Sequence, residues 1–147
     1  MRCLALILTA WATAASVPAT AQDLSGSWEV TWAQAVRYNR DGTSEVQRWG
    51  KARLTLTQAG DSVRGHWRAD AGGVTWQVAG RVRDGVLRLS ATERDSDDPE
   101  LAMVERMEWE AMVEKDELRG SVWMVIPRLG REPRKRPWAG VRGSGSR

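Results

Sequence analysis

The chain has 147 residues, 41% hydrophobic and 28% charged, with 22 basic against 19 acidic side chains. That length supports one ordinary domain, and the apolar share is too high for a disordered chain. A single Cys and a single His exclude a disulfide framework, a Cys-rich zinc site and a Cys–His nucleophile pair.

The chain opens on Met1-Arg2, then an apolar stretch from Leu4 to Val17, then the small-x-small triplet Ala19-Thr20-Ala21. This is the layout of a secretory signal peptide over residues 1–21, too short for a spanning helix. Cleavage near Ala21 predicts a secreted or periplasmic protein beginning at Gln22. Cys3 stands at the start of the apolar run, whereas a lipid-acceptor Cys stands at its end, so it leaves with the leader. No second long apolar run follows, and no membrane span is expected. The mature domain is placed at 22–143, with a flexible tail at 144–147. Its charge is near neutral in sum, which gives no reason for bulk attraction to nucleic acid. The distribution is uneven: residues 93–117 hold eleven acidic and three basic side chains, and residues 118–147 eight basic and one acidic.

Alternating polarity, the mark of a strand with one buried face, recurs along the mature chain. The first strand is expected from Ser27 to Val36, with Trp28, Val30 and Trp32 on one face. A polar stretch containing Asp41-Gly42 separates it from Lys51 to Gln58, where Leu54 and Leu56 point inward and Arg53, Thr55 and Thr57 outward. Gly60-Asp61 turns the chain into Ser62 to Ala69, with Val63, Gly65 and Trp67 opposite Arg64, His66 and Arg68. A Gly-rich turn leads to Val74 to Arg81. Asp84-Gly85, whose residues tolerate positive φ, is the strongest hairpin turn and leads to Val86 to Thr92. Residues 99–113 read two ways. Asp98-Pro99-Glu100 is a helix start, and propensity allows a helix to about Glu117; Met107, Trp109, Ala111 and Val113 alternate as a strand does. The reading adopted is a short helical turn near 99–104 followed by a strand from Arg106 to Val113. Strands from Leu118 to Ile126 and from Trp138 to Gly143 complete the set.

Eight strands joined in sequence by turns, each with one apolar face, predict an all-β, eight-stranded antiparallel up-and-down barrel, which buries that face and removes its edges. A β-sandwich is the structural rival, and the near-neighbour hairpins favour the barrel.

Leu24-Ser25-Gly26-Ser27-Trp28 at the mature start resembles the Gly-x-Trp of lipocalins and the opening of avidins. Leu118-Arg119-Gly120-Ser121-Val122-Trp123 and Pro137-Trp138-Ala139-Gly140-Val141-Arg142 are similar in pattern to avidin closing strands. The chain therefore resembles the calycin barrels: lipocalins, avidins and fatty-acid-binding proteins. The resemblance implies a fold signature of Gly26, Trp28 and Arg142, with Arg142 the basic side chain of the last strand that packs over the first-strand Trp. It also implies an interior able to hold an apolar ligand. Biotin binding does not carry over, because Glu29-Val30-Thr31-Trp32 follows Trp28 where avidins place Asn, Ser and Tyr. The disulfide and greater length of lipocalins are absent too.

Several side chains could carry chemistry. His66, beside Arg64 and Arg68 on a polar face, reads as an exposed His, since no second ligand and no Gly-x-Ser-x-Gly accompany it. Glu105 would share the Met107/Trp109 face if the strand ran back to Met103, and a buried acid marks a site; a later strand start leaves it solvated. Asp95, Asp97, Asp98 and Glu100 lack the Gly and distal Glu of a calcium loop and read as a solvated loop or helix cap. Trp28, Trp32, Trp76 and Trp109, with Glu105, are the candidate lining of a ligand-holding interior, and Trp67 joins them as core. Trp123 falls on the Arg119/Ser121 face and is expected outside. Arg128, Arg131, Arg134, Lys135 and Arg136 form a basic loop able to dock an anionic surface or to pair with the acidic 93–117 stretch.

The function expected is non-catalytic binding, with a small apolar molecule in the barrel and neither cofactor nor metal. The alternative is a cell-envelope protein-interaction module, an inhibitor or accessory subunit, whose partner meets its outer surface and the basic loop 128–136.

Overall fold

The computed structural model describes residues 22–70, 73–91, 93–95, 104–130 and 132–144. Among them nine strands form: β1 (Gly26–Tyr38), β2 (Ser44–Ala59), β3 (Ser62–Ala69), β4 (Thr75–Arg83), β5 (Val86–Ala91), β6 (Arg94–Asp95), β7 (Arg106–Glu114), β8 (Glu117–Val125) and β9 (Arg136–Arg142). Every pairing is antiparallel, each long strand lies beside its sequence neighbours, and β9 returns to β1. Eight strands thus close into a barrel, while β6 adds a two-residue pairing to β4. The helical turn expected near 99–104 falls largely outside the described residues, as do the acids Asp97, Asp98 and Glu100. Residues 106–114 are strand, as expected from Arg106 to Val113, and the alternative of one long helix to Glu117 falls: Met107, Trp109 and Ala111 need a two-residue period to reach the core together. A 3₁₀ turn at Pro127–Leu129 links β8 to the β9 approach.

The turns set the registers. Asp84 and Gly85 have φ of 51° and 72°, the two left-handed residues of a tight hairpin turn, and they align Arg83 with Val86. Gly60-Asp61 aligns Ala59 with Ser62, which places Leu54 opposite Trp67 on the inside and Arg53 opposite Arg68 on the outside. Curvature comes from close strand contact. A Cβ on Gly65 would lie 1.8 Å from the Thr55 carbonyl oxygen, and one on Gly80 equally close to that of Arg88, so only glycine lets the backbones approach there.

The core is the barrel interior. Leu24, Trp28, Leu54, Trp109 and Leu118 are at most 1% exposed, and no polar or charged residue is buried among the described residues. The lower end is closed by the N-terminal approach. The Trp28 indole donates to the Leu24 carbonyl at 3.0 Å, and the Leu24 amide donates to Gln58 Oε1 at 2.8 Å. At the other end β1 and β2 run on past the barrel as a hairpin to Tyr38 and Ser44. This extension is longer than the alternation indicates. A bulge at its base flips the parity: Trp32 opposes Gly50, Ala33 is fully buried, and Gln34 has no register partner.

Candidate functional site

Three regions compete: the barrel interior, the loop over its open end, and the outer wall.

The interior is filled with indoles. Trp67 lies 5.3 Å from Trp109 and 5.5 Å from Trp138, centroid to centroid, the second pair edge to face. Trp28, Trp76 and Trp109 are 0%, 5% and 1% exposed; Trp32 is half-buried against them. An eight-stranded barrel is about wide enough for side chains alone, and six large rings fill it. The Nε1 atoms of Trp32, Trp109 and Trp138 are buried without a protein acceptor. At the open end, Arg94 sits 5.5 Å from the Trp76 ring and donates to the Val104 carbonyl.

Glu105 does not join this face. It is 52% exposed and pairs at 3.5 Å with Arg106, while Val104 is buried instead. The pleat breaks just before β7, so an apolar neighbour takes the inward place and the carboxylate keeps its water, avoiding several kcal/mol of desolvation (~2–7 for even a neutral polar group).

The basic loop is tied to the wall beneath it. Arg134 lies 4.2 Å over the Tyr38 ring and Lys135 lies 4.6 Å over the Trp123 ring. Arg136 Nη1 donates at 2.9 Å to the carbonyl of Gln34, the residue freed by the β1 bulge. Arg128 stands exposed, and Arg131 lies outside the described residues. Among the described residues, no acid of the 93–117 stretch pairs with Arg134, Lys135 or Arg136; aromatic faces and a backbone oxygen hold them, each cation–π contact worth about 0.5–1 kcal/mol. Trp123 is thereby partly covered.

The outer wall is divided in charge. Across β5, β7 and β8 the cations are paired: Arg88 with Glu110 at 2.8 Å, Arg106 with Glu108 at 2.6 Å and Arg119 with Glu117 at 2.6 Å. Donation to the Glu117 and Glu108 carboxylates holds Arg119 and Arg106 above the usual guanidinium range. On β2 and β3 the basic side chains stand alone, whereas Arg81 and Arg83 at the end of β4 share Asp61 at 3.7 and 3.2 Å. Lys51, Arg53, Arg64, His66 and Arg68 are exposed, and their side chains have no hydrogen-bond or ion-pair partner among the described residues. Arg53 and Arg68 are directly opposite in register, a like-charge pairing that costs roughly 0.2–1 kcal/mol. A recess of about 580 Å³ lies over them, lined by Arg53, Thr55, His66, Arg68, Asp70 and Thr75.

This wall is the feature that a residue-by-residue reading misses. Its signal is the turn: once Gly60-Asp61 fixes the hairpin, Arg53 and Arg68 must face each other, with Thr55 and His66 beside them. Among the described residues no three His, Cys, Asp or Glu side chains gather as metal ligands, and no helix is long and apolar enough to cross a membrane. The chain matches no protein-family model and no curated protein.

Proposed function

We infer that the mature domain is a secreted binding module that meets its partner at its outer wall. The packing of Trp67 against Trp109 and Trp138 carries this reading, because it puts side chains where an apolar guest would sit. The leader pattern of residues 1–21 supports export into the cell envelope or beyond. Gly26-Ser27-Trp28, with Arg142 lying 4.4 Å over the Trp28 ring, supports kinship with the lipocalin and avidin barrels, here with a filled interior. The partner in this reading is an envelope component, and the module adds no chemistry to it.

The rival reading, an apolar guest held within the barrel, is favoured by one observation: the Nε1 donors of Trp32, Trp109 and Trp138 lack protein acceptors. A neutral probe separates the two. The mature domain is titrated with N-phenyl-1-naphthylamine while indole emission is followed. The outer-wall reading expects no saturable quenching; stoichiometric, saturable quenching overturns it. Mass spectrometry of the exported protein tests the leader, with Gln22 as the expected first residue.

A further inference from the structure

We propose that the outer face of β2, β3 and β4 docks a linear anionic glycan, a chain bearing sulfate, phosphate or carboxylate groups. The inference rests on the outer-wall reading and names the chemistry of its partner.

Two independent features point to an anion. First, Lys51, Arg53, Arg64 and Arg68 of β2 and β3 are unpaired among the described residues, whereas Arg81 and Arg83 at the end of β4 share Asp61 and the cations of the β5–β7–β8 wall each have a carboxylate at 2.6–2.8 Å. Second, Arg53 and Arg68 face each other in register, an arrangement that opposes folding until an anion sits between them. Two guanidiniums presented side by side can each offer a planar fork to an oxyanion, which ammonium groups cannot do. The acids nearest are Glu29, across from Arg53 in β1, Asp70 at the rim of the recess and Glu93 beside Gln77; none pairs with these cations.

The layout selects a chain over a single ion. Residues two apart on a strand are separated by roughly 7 Å, so Lys51 and Arg53 on β2, and Arg64, His66 and Arg68 on β3, form two rows along the strand direction. Thr55, Thr57, Thr75 and Gln77 lie between and beside these rows, giving neutral donors and acceptors for sugar hydroxyls. No Trp or Tyr lines the recess, and Trp49, the exposed ring of β2, stands beyond Lys51 toward β8 and β9, so a single strand finds no run of rings on which successive bases could stack. Trp49 is the one large exposed apolar side chain of this face among the described residues, with Ala69 and Ala79 the small ones, and a lone ring is too little for insertion into lipid.

The test uses a fluorescein-labelled heparin hexasaccharide as probe and follows anisotropy from 0.05 to 0.3 M NaCl. The mature domain is expected to bind it, with affinity falling steeply as salt rises. Arg53→Ser/Arg68→Ser is expected to weaken binding at least tenfold and to flatten the dependence of log Kd on log salt by about one to two. Arg88→Ser, whose cation is already paired, is expected to leave binding unchanged. Because the two arginines are exposed, the double variant keeps its fold, and its circular dichroism and melting temperature are measured alongside. The proposal is overturned if the double variant binds like the parent. It is equally overturned if an uncharged dextran, single-stranded DNA of equal charge or phosphatidylglycerol vesicles bind as tightly as the hexasaccharide. Absence of glycan binding with an unresponsive neutral naphthylamine probe removes the glycan alone; saturable uptake of that probe removes the outer-wall reading beneath it.

Discussion

The Arg142 guanidinium lies 4.4 Å over the Trp28 ring while its nitrogens reach three oxygens: the Ser25 and Asp23 carbonyls and Asp116 Oδ1, each at 2.8 Å. One side chain from the last strand therefore fastens the first strand, the N-terminal approach and the β7–β8 turn. Its ring partner is anchored in turn by its own bond to Leu24. Closure of the barrel at this end depends on a planar, multiply donating cation, which lysine does not provide.

Arg142→Lys should keep the charge and lose the fork. The expected cost is about 1–3 kcal/mol, read as a lower urea midpoint with an unchanged slope. Arg142→Ala should cost more, because the carbonyls of Ser25 and Asp23 lose their donor. A midpoint within error of the parent for Arg142→Lys would show that the stack alone holds this end.

The parts of the fold legible in the sequence are those where burial imposes a period. Trp28, Val30 and Trp32 alternate because the barrel needs them inside, and Asp84-Gly85 announces its own turn geometry. Residues 37–50 do not alternate, since the hairpin from Tyr38 to Ser44 extends beyond the core and has no buried face to impose a period. The β1 bulge and the pleat break at Glu105 are one-residue shifts that no local pattern marks. The basic loop has the same difficulty in another form: its cations rest on Tyr38 and Trp123, distant in sequence, so a charge run reads as free when it is fastened. The wall of Arg53 and Arg68 was within reach, because the intervening turn fixes which side chains meet.

Trp67 is the keystone of the interior, touching Trp109 on one side and Trp138 on the other. Trp67→Ala should cost about 3–5 kcal/mol, from lost transfer energy plus the cavity left between two large rings. The same cavity should admit N-phenyl-1-naphthylamine, so the variant is expected to gain saturable probe binding that the parent lacks. Trp67→Phe, which leaves a smaller gap, should lose less stability and bind the probe more weakly. Equal probe binding by parent and variant would mean that the rings do not close the interior.

Arg68→Thr should raise stability. The substitution removes the charge directly across from Arg53 and places a β-branched residue on an exposed strand face. The gain expected is roughly 0.2–1 kcal/mol in low salt, seen as a higher melting temperature. Added NaCl screens the repulsion only in the parent, so the difference should narrow by 0.5 M salt. A variant that melts below the parent in low salt would show that the two guanidiniums do not strain the hairpin.

Arg134 and Lys135 should matter for the β1–β2 hairpin rather than for the barrel. Replacing both with Ser removes the cations from Tyr38 and Trp123 and leaves Arg136 bonded to Gln34. Hydrogen exchange is expected to quicken at residues 35–48, with amides of β3, β4 and β5 unchanged. Uniform protection in the parent and the variant would show that the loop does not brace the hairpin.

The tip of that hairpin carries its own acid-sensitive brace. Asp41 Oδ1 accepts from the Thr43 hydroxyl at 2.7 Å and from the Thr43 amide at 2.9 Å, and these bonds hold its carboxyl below the ordinary value of 3.8. A depressed folded-state value means that the bonds favour the hairpin at any pH above the ordinary one. The contribution fades as pH falls through the folded value, when the protonated acid gives up its two acceptor bonds. Carbon-detected titration should place the Asp41 carboxyl transition below the ordinary value of 3.8, and the Thr43 amide should shift with the same midpoint. Thr43→Val removes the hydroxyl donor and leaves the amide, so the Asp41 transition should move upward without disappearing. A transition that stays in place in Thr43→Val would assign the depression to the amide alone.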